Sequence, residues 1–358
     1  MVETISVSSQ PTSPRGRGAS SNPPNRFERI VLERDAEWDP AQDPAPRTQF
    51  LKDKTCSILS HNDSPDLGFD TSINVYRGCE HGCVYCYARP FHEYLGFSAG
   101  LDFETKIMVK EDAPELLRKE LSSPRWKPRV IGMSGVTDCY QPAERRFRLT
   151  RRCLEVFAEC RNPVAIVTKN RLITRDLDLL RELARHQAVA VFISVTSLDS
   201  ELARVLEPRT SMPKQRLATI EALATAGVPV GVLVAPVIPD LTDHEMLPII
   251  AQSAQAGASY AAYTVLRLPY AVKDLFEQWL TEHAPGRKDK VLNQIRVLRG
   301  GQLNASDFGT RMTGEGKAAA QIAQMFEVAS RKAGLWGREP ILSASSFRRP
   351  SGKQLEMF

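Results

Sequence analysis

The chain has 358 residues, of which 42% are hydrophobic and 25% are charged, and its formal net charge is +5. These values are ordinary for a globular protein with a large core, and no apolar run reaches the ~20 residues that a membrane-spanning helix needs. The N-terminus lacks the hydrophobic stretch of a secretory signal, and seven cysteines, an odd number, do not suggest a disulfide framework. We therefore expect a cytoplasmic protein without a membrane partner. Its basic balance permits an anionic partner but does not require one.

The N-terminal region is polar and lacks hydrophobic periodicity. Residues 1–48 are rich in Ser, Pro, Arg, Gly and Asp, a composition that predicts a disordered or extended tail. The short run Arg15-Gly16-Arg17-Gly18 suits contact with nucleic acid, whereas a solvated tail is the reading that such a short charge run favours. Phe27 and the apolar residues 30–32 are the positions through which this segment could dock on the body of the protein.

Residues 65–270 alternate between apolar strand segments and amphipathic helices. Strands are expected at residues 71–76, 129–134, 164–168, 188–195, 228–237 and 260–266, with helices at 113–121, 148–160, 175–186, 213–226 and 245–256. This order predicts an α/β fold with a parallel sheet. Periodicity alone does not distinguish an open doubly wound sheet from a partial barrel.

The C-terminal part is expected to differ from this core. Helical patterns at residues 271–280, 289–298 and 316–333 predict a helical extension over residues 271–337. The polar and basic residues 338–358 that follow predict a flexible tail.

The most specific motif comes directly after the first predicted strand. Cys79, Cys83 and Cys86 have the spacing C-x3-C-x2-C, and glycines precede the first two of them. Three thiolates from one short loop can hold an iron–sulfur cluster, and a cluster of four irons held by three thiolates keeps one iron open for a substrate or cofactor. A zinc site with a remote fourth ligand is the alternative, which the lack of a second Cys/His pair disfavours.

The run from Asn74 to Arg89, NVYRGCEHGCVYCYAR, resembles the signature of the radical S-adenosylmethionine (SAM) superfamily, and in particular its spore photoproduct lyase-like branch. The resemblance covers about residues 65–270. It implies a partial (β/α)6 barrel, a [4Fe–4S] cluster and SAM as cofactors, and a low-potential electron donor of the flavodoxin or ferredoxin type. It also implies reductive cleavage of SAM to a 5′-deoxyadenosyl radical that abstracts hydrogen from the substrate.

The resemblance assigns further residues to the cofactor, because functional side chains gather at the carboxyl ends of parallel strands. It assigns SAM binding to Tyr85, Thr137, Asp138, Lys169, Ser194, Thr196 and Ala235. Tyr85 would lie against the adenine and Asp138 would pair with the amino group. Lys169 would contact the carboxylate, Ser194 and Thr196 the ribose, and Ala235 would lie beside the adenine. Plain packing is the alternative for Tyr85, and a helix cap is the alternative for Thr137 and Asp138.

Three other segments follow strands without a single assignment. Cys139 stands where this branch usually has proline, and its thiol could give a hydrogen atom to a substrate radical, as a cysteine does in spore photoproduct lyase. A small buried residue is the alternative. The segments 207–209 and 267–269 are expected either to line the substrate or to form surface ion pairs.

The last five residues, Gln354 to Phe358, resemble the pentapeptide through which bacterial DNA polymerases and repair proteins dock on the replication sliding clamp, with Met357 in place of leucine. A polar tail that ends in an apolar anchor suits such a groove, and a tail that folds back onto the barrel is the alternative.

Three hypotheses for the function stay open. The substrate is a nucleic-acid base or lesion, or it is a protein or small molecule, or the chain is a non-catalytic iron–sulfur or clamp-binding protein.

Overall fold

The computed structural model describes residues 14–27 and 46–350, which contain two sheets surrounded by helices. The strands are β1 Gln49–Lys52, β2 Leu59–His61, β3 Thr71–Ile73, β4 Tyr76–Arg77, β5 Lys106–Val109, β6 Ile131–Met133, β7 Val164–Thr168, β8 Val189–Ser194, β9 Val230–Val237 and β10 Tyr260–Val265. The helices are α1 Leu101–Thr105, α2 Ala113–Ser122, α3 Glu144–Phe147, α4 Leu149–Cys160, α5 Leu177–Arg185, α6 Ser200–Leu206, α7 Pro213–Thr225, α8 Met246–Gln255, α9 Val272–His283, α10 Lys288–Leu298 and α11 Gly316–Lys332. Short 3₁₀ helices cover Arg89–Leu95, Arg171–Asp176, Asp243–Glu245 and Pro285–Arg287.

The larger sheet has the strand order β10-β9-β8-β7-β6-β3-β2. All neighbouring pairs are parallel except β2 and β3, which are antiparallel at one edge. The six parallel strands are the six that the apolar segments predict. They are rich in Val and Ile, and none of their residues is exposed, as expected when helices cover a parallel sheet. The edge strands β2 and β10 are not paired with each other within the described residues, so the expected partial barrel is confirmed.

A close contact between two strands helps to fix the curvature of this sheet. Gly231 on β9 lies beneath the ring of Tyr260 on β10, and a Cβ atom at Gly231 would lie 2.0 Å from a ring carbon of Tyr260. The Tyr260 hydroxyl then donates to the carbonyl oxygen of Val191 at 3.0 Å. The glycine therefore lets one aromatic side chain span three neighbouring strands, β8 to β10.

The smaller sheet, in the order β1-β5-β4, flanks the loop of the three cysteines. The sequence does not reveal it, because its strands are only two to four residues long, too short to show a clear alternation. Helices α1, α3 and α6 are likewise not predicted from the sequence, because they are too short to show a clear periodicity.

Within the predicted N-terminal tail, residues 14–27 contact the body of the protein. This segment lies against α1 and the 3₁₀ helix Arg89–Leu95, and within it Arg17 and Ala19 are buried. Its backbone is held by polar side chains of the body, such as Glu104, which accepts from the amide of Ala19 at 2.9 Å. Composition does not reveal such contacts, because they need no apolar periodicity. Residues 1–13 and 28–45 lie outside the described residues.

The C-terminal extension contains the three expected helices, α9, α10 and α11. Within the predicted C-terminal tail, Arg348 donates from its amide to the carbonyl oxygen of Cys160 at 2.8 Å and from Nε to that of Glu159 at 2.7 Å. These carbonyls end helix α4 and would otherwise lack partners. The clamp-like residues 354–358 lie outside the described residues. No helix in the described part of the chain is long and apolar enough to cross a membrane.

Candidate functional site

The cysteine loop is held by backbone hydrogen bonds, and its three thiols take part in no disulfide. Gly78 and Gly82 adopt φ values of +81° and +69°, which favour glycine. The amide of Cys79 donates to the carbonyl oxygen of Phe103 at 2.8 Å, and Arg89 Nε donates to the carbonyl oxygen of Cys83 at 3.0 Å. Cys79 and Cys83 are buried, and Cys86 is half-buried.

The surroundings of the thiols suit ligation by a cationic group. Burial raises the pKa of all three, and the negative charges of Asp138 near Cys79 and of Glu207 near Cys83 raise it further. The three thiols therefore need a compensating positive charge to become thiolates, and metal ligation supplies one.

The donor set of this loop is three soft thiols. In the described ranges no group of three His, Cys, Asp or Glu side chains is placed to hold a single metal ion. In an iron–sulfur cluster each thiolate binds its own iron, so the thiols need not converge. The three soft donors on one loop therefore fit an iron–sulfur cluster.

Lys169, at the end of β7, lies at the centre of a network of strand-end oxygens. Its Nζ atom lies 2.7 Å from Ser194 Oγ, 2.8 Å from the carbonyl oxygen of Ala235, 3.0 Å from Thr196 Oγ1 and 3.1 Å from Glu207 Oε1. Four of the residues predicted to bind SAM thus meet at one point. The Lys169 side chain is 15% exposed, and these four oxygens surround its ammonium.

Glu207 is the carboxylate of this network, and its ion pair is not a surface one. Arg216 on α7 pairs with it, and both side chains are buried. Burial by itself would raise the pKa of Glu207, but the charges of Arg216 and Lys169 together hold it well below its usual range. The Tyr85 hydroxyl donates to the same carboxylate and lies 3.3 Å from Thr196 Oγ1. Tyr85 is therefore positioned by its hydroxyl as well as by packing.

Asp138 joins three of the strand-end loops. Its carboxylate accepts hydrogen bonds from Thr168 Oγ1 at 2.8 Å and from the amide of Lys169 at 2.8 Å, and it lies 3.3 Å from His81 Nδ1. Burial would raise the pKa of Asp138, but the contact with His81 and these hydrogen bonds lower it overall. Thr137 Oγ1 donates to the carbonyl oxygen of Tyr76 at 3.0 Å. Thr137 and Asp138 thus organise the loops, and a direct contact with SAM stays a prediction for both.

Sequence reasoning missed three polar residues that shape this site. His81 contacts Asp138, and Gln141 Nε2 donates to the carbonyl oxygen of Gly78 at 3.0 Å while Gln141 Oε1 accepts from the amide of Glu80 at 2.9 Å. Both residues lie inside the motifs around Cys79 and Cys139, so their position in these motifs is a signal that could have found them. No sequence motif distinguishes Arg216, because it lies within an ordinary helical pattern.

Cys139 lies in the main hydrophobic core and is only 3% exposed. Thr150 Oγ1 donates to its carbonyl oxygen at 2.6 Å, and burial raises the pKa of its thiol. These surroundings favour the packing alternative for Cys139. The role of hydrogen donor stays a prediction.

Exposed aromatic side chains alternate with arginines beside the cysteine loop, and we call this surface the rim. One part contains Phe27, Tyr94 and Tyr270, which are 56%, 68% and 59% exposed, with Arg26 lying 3.7 Å from the centre of the Tyr270 ring. The other part contains Tyr87 with Arg267 at 4.8 Å, and Phe308 with Arg311 at 4.6 Å. Tyr87 follows Cys86 directly, and Arg267 and Tyr270 follow β10, so the rim lies at the same edge of the sheet as the network of Lys169.

The fold and the site together define an α/β protein with a cysteine-rich cofactor loop at the carboxyl ends of a parallel sheet. The sequence profile of the radical SAM superfamily matches residues 73–252, half of the chain. The chain therefore belongs to the radical SAM superfamily, a family that uses a [4Fe–4S] cluster and SAM.

Related sequences and solved structures agree with this assignment. An uncharacterized protein of Mycobacterium tuberculosis is 40% identical over 221 residues, which cover 61% of this chain and 65% of that one. An uncharacterized protein of Methanocaldococcus jannaschii is 30% identical over 175 residues, which cover 49% of this chain and 63% of that one. The chain thus matches less than two thirds of the length of either relative.

The solved structures show the same fold. Spore photoproduct lyase complexed with dinucleoside spore photoproduct has a TM-score of 0.58 at 17% identity, covering 79% of both chains. A mutant of that lyase with bound AdoMet and dinucleoside spore photoproduct has a TM-score of 0.57 at 18% identity, covering 79% of this chain and 78% of that one. At these identities the likeness establishes the fold alone.

Proposed function

We propose that this radical SAM enzyme acts on a nucleic acid, either on a base or on a lesion. The observation that carries the proposal is the rim, where exposed aromatic rings and guanidinium groups alternate beside the cofactor site. Bases stack on aromatic rings and on arginine planes, and stacking is the mode of contact proposed here, because Arg26 and Arg311 already pair with Glu93 and Asp66. The dinucleoside spore photoproduct bound to the structurally similar spore photoproduct lyase is consistent with this choice.

In this proposal Cys79, Cys83 and Cys86 hold the iron–sulfur cluster. When bound and reduced, the cluster and SAM supply a radical that can abstract a hydrogen atom. Lys169 orients the carboxylate of SAM, because its ammonium lies at the end of β7 among the other strand-end residues assigned to the cofactor. Thr137 and Asp138 receive the amino group.

Four more residues position the remaining parts of SAM. Tyr85 packs against the adenine with its hydroxyl held by Glu207. Ser194 and Thr196 contact the ribose, and Ala235 lies beside the adenine. Because Tyr85 and Lys169 share Glu207, the adenine and carboxylate contacts are coupled through one buried carboxylate.

Partners follow from the same chemistry. The cluster needs a low-potential electron donor of the flavodoxin or ferredoxin type, and the seven free cysteines suit a reducing, cytoplasmic compartment. The terminal residues Gln354–Phe358 dock on the DNA sliding clamp, a proposal that rests on their sequence alone. Deleting these five residues should abolish binding to purified clamp, and unchanged binding would remove the clamp from the list of partners.

The test of the substrate is an anaerobic assay of the reconstituted enzyme with SAM and dithionite. We expect formation of 5′-deoxyadenosine to rise when single-stranded or damaged oligonucleotides are added, with transfer of deuterium from a labelled oligonucleotide.

Tyr94→Ala on the rim should weaken oligonucleotide binding. Trp336→Ala, which removes an exposed aromatic near Arg331 on the C-terminal extension, is the matched control. Turnover with peptides or small molecules and none with oligonucleotides would reject the nucleic-acid substrate. Iron–sulfur absorbance without any cleavage of SAM would contradict the enzymatic chemistry itself.

A further inference from the structure

Residues 14–27, which we call the strap, lie outside the part of the chain that matches the superfamily, yet they contact the cysteine loop. The contact is closest at Gly18. A Cβ atom at this position would lie 1.7 Å from the carbonyl oxygen of Gly82, the residue directly before Cys83. Only glycine therefore allows the strap to lie against this peptide group. The next residue, Ala19, is 1% exposed and packs in one cluster with Cys83, Val84 and Tyr85.

A single buried carboxylate links the strap to the cysteine loop. Glu104 is fully buried, and it accepts from the amide of Gly18 at 3.1 Å and from that of Ala19 at 2.9 Å. The same carboxylate accepts from Arg89 at 2.5 Å, and Arg89 Nε donates to the carbonyl oxygen of Cys83. A continuous path of hydrogen bonds thus runs from the strap to a proposed cluster ligand. If the strap leaves, Glu104 loses two of these three donors.

The rest of the strap is anchored away from the cysteines. Asn22 Nδ2 donates to the carboxylate of Asp102 at 3.1 Å, and Asn22 Oδ1 accepts from the amide of Asp102 at 2.9 Å. Arg26 Nε pairs with the carboxylate of Glu93 at 2.6 Å. The strap can therefore be loosened at Asn22 without changing any group that touches the cysteine loop.

We propose that the strap is the outer wall of the cluster site and that its closure sets how long the bound cluster survives oxidants and iron chelators. The wall is made of backbone and small side chains, because the space between Gly82 and the strap admits nothing larger. Opening the strap would uncover the peptide at Gly82 and the cluster of side chains around Cys83. The proposal concerns cluster lifetime alone and does not depend on the substrate of the enzyme.

The test follows the iron–sulfur absorbance of the full-length, reconstituted protein after exposure to air or to an iron chelator, without SAM or substrate. Gly18→Val should displace the strap and speed bleaching by about tenfold or more, because losing two hydrogen bonds to a buried carboxylate shifts an opening equilibrium by at least that factor. Trypsin should then cut the variant after Arg17, which is buried in the wild-type protein. Gly286→Ala is the matched control, since a Cβ at Gly286 meets nothing within 4 Å.

A second pair of variants separates strap closure from general stability. Asn22→Ala should speed bleaching by a smaller factor while the cysteine loop is untouched. Leu183→Ala, in the buried face of α5, should lower the melting temperature without changing the bleaching rate. Should Gly18→Val fail to fold, Asn22→Ala decides the matter alone. A wild-type bleaching rate in Asn22→Ala, a strap that stays protected in Gly18→Val, or equally fast bleaching in Leu183→Ala would each overturn the proposal.

Discussion

Arg216 and Glu207 form an ion pair in which each side chain is only 1% exposed, at the hydroxyl of Tyr85. The carboxylate also receives the ammonium of Lys169 at 3.1 Å. Two cations therefore face one buried anion, and the second cation is the one that is partly open to the outside. For Lys169 to bind an anionic group of SAM, as proposed, its ammonium would exchange one of its present acceptors, and Glu207 would remain paired with Arg216.

Glu207→Ala is expected to destabilise the protein strongly, because it leaves the charge of Arg216 buried and unpaired. Breaking a buried pair in this way costs about 3–5 kcal/mol. Urea unfolding of the cluster-free protein measures the change. Glu201→Ala removes the partner of Arg204 in an exposed pair on α6 and should change the free energy of unfolding little. If the two substitutions lowered the free energy of unfolding equally, the buried ion pair would matter no more for stability than an exposed one.

Lys169→Met is expected to weaken SAM binding while the fold is retained, since Glu207 keeps Arg216 as its partner. Loss of one hydrogen bond to a charged group corresponds to about a tenfold or larger rise in Kd. Calorimetric titration of the reconstituted protein with SAM under anaerobic conditions measures this change. Lys214→Met, at an exposed position on α7, is the control. An unchanged Kd for Lys169→Met would remove Lys169 from the cofactor site.

Each of Cys79→Ala, Cys83→Ala and Cys86→Ala should prevent stable cluster assembly, because each thiolate would hold a different iron. The measurement is iron and sulfide content together with visible absorbance after anaerobic reconstitution. Cys56→Ala, which changes an exposed thiol outside the loop, should assemble a full cluster. A full iron content in any of the three loop variants would refute its assignment as a ligand.

The sequence predicts the parts of this protein in which chemistry follows a regular pattern. The six parallel strands are apolar runs, and Lys169 and Ser194 were found because each lies where such a run ends. Contacts between polar residues far apart in the chain left no such pattern. Glu104 meets Gly18 across 86 residues, and Arg216 reaches Glu207 from within an ordinary helix. The strap and the buried ion pair can therefore be recognised only in the folded structure.

Cys139→Ala tests whether the thiol donates hydrogen or only fills space. Because Cys139 is 3% exposed within the main core, we expect unchanged products and a modest loss of stability, on the order of 1 kcal/mol. Product analysis by mass spectrometry and thermal unfolding provide the two measurements. A new product distribution in the variant, with the melting temperature preserved, would instead establish Cys139 as the hydrogen donor.

The fully buried His92 should make the stability of the protein depend on pH. Burial lowers the pKa of His92 to about 4, whereas an unfolded chain has a histidine pKa of about 6.5. Between these values the unfolded state binds more protons than the folded state, so stability falls as the pH decreases from about 6.5 towards 4. The imidazole Nε2 has no hydrogen-bond partner among the described residues, so the folded state does little to stabilise the charged form.

Replacing this histidine should remove that part of the pH dependence. His92→Gln is expected to flatten the decline of the free energy of unfolding by up to about 3 kcal/mol between pH 6.5 and pH 4. The measurement is urea unfolding of the cluster-free protein at several pH values. His244→Gln changes an exposed histidine whose side chain is 66% accessible and should leave the pH profile of the wild type unchanged. If the curves of wild type and His92→Gln run parallel, the buried imidazole is not the group that titrates, and the carboxylates of the ion pairs must account for the loss of stability in acid.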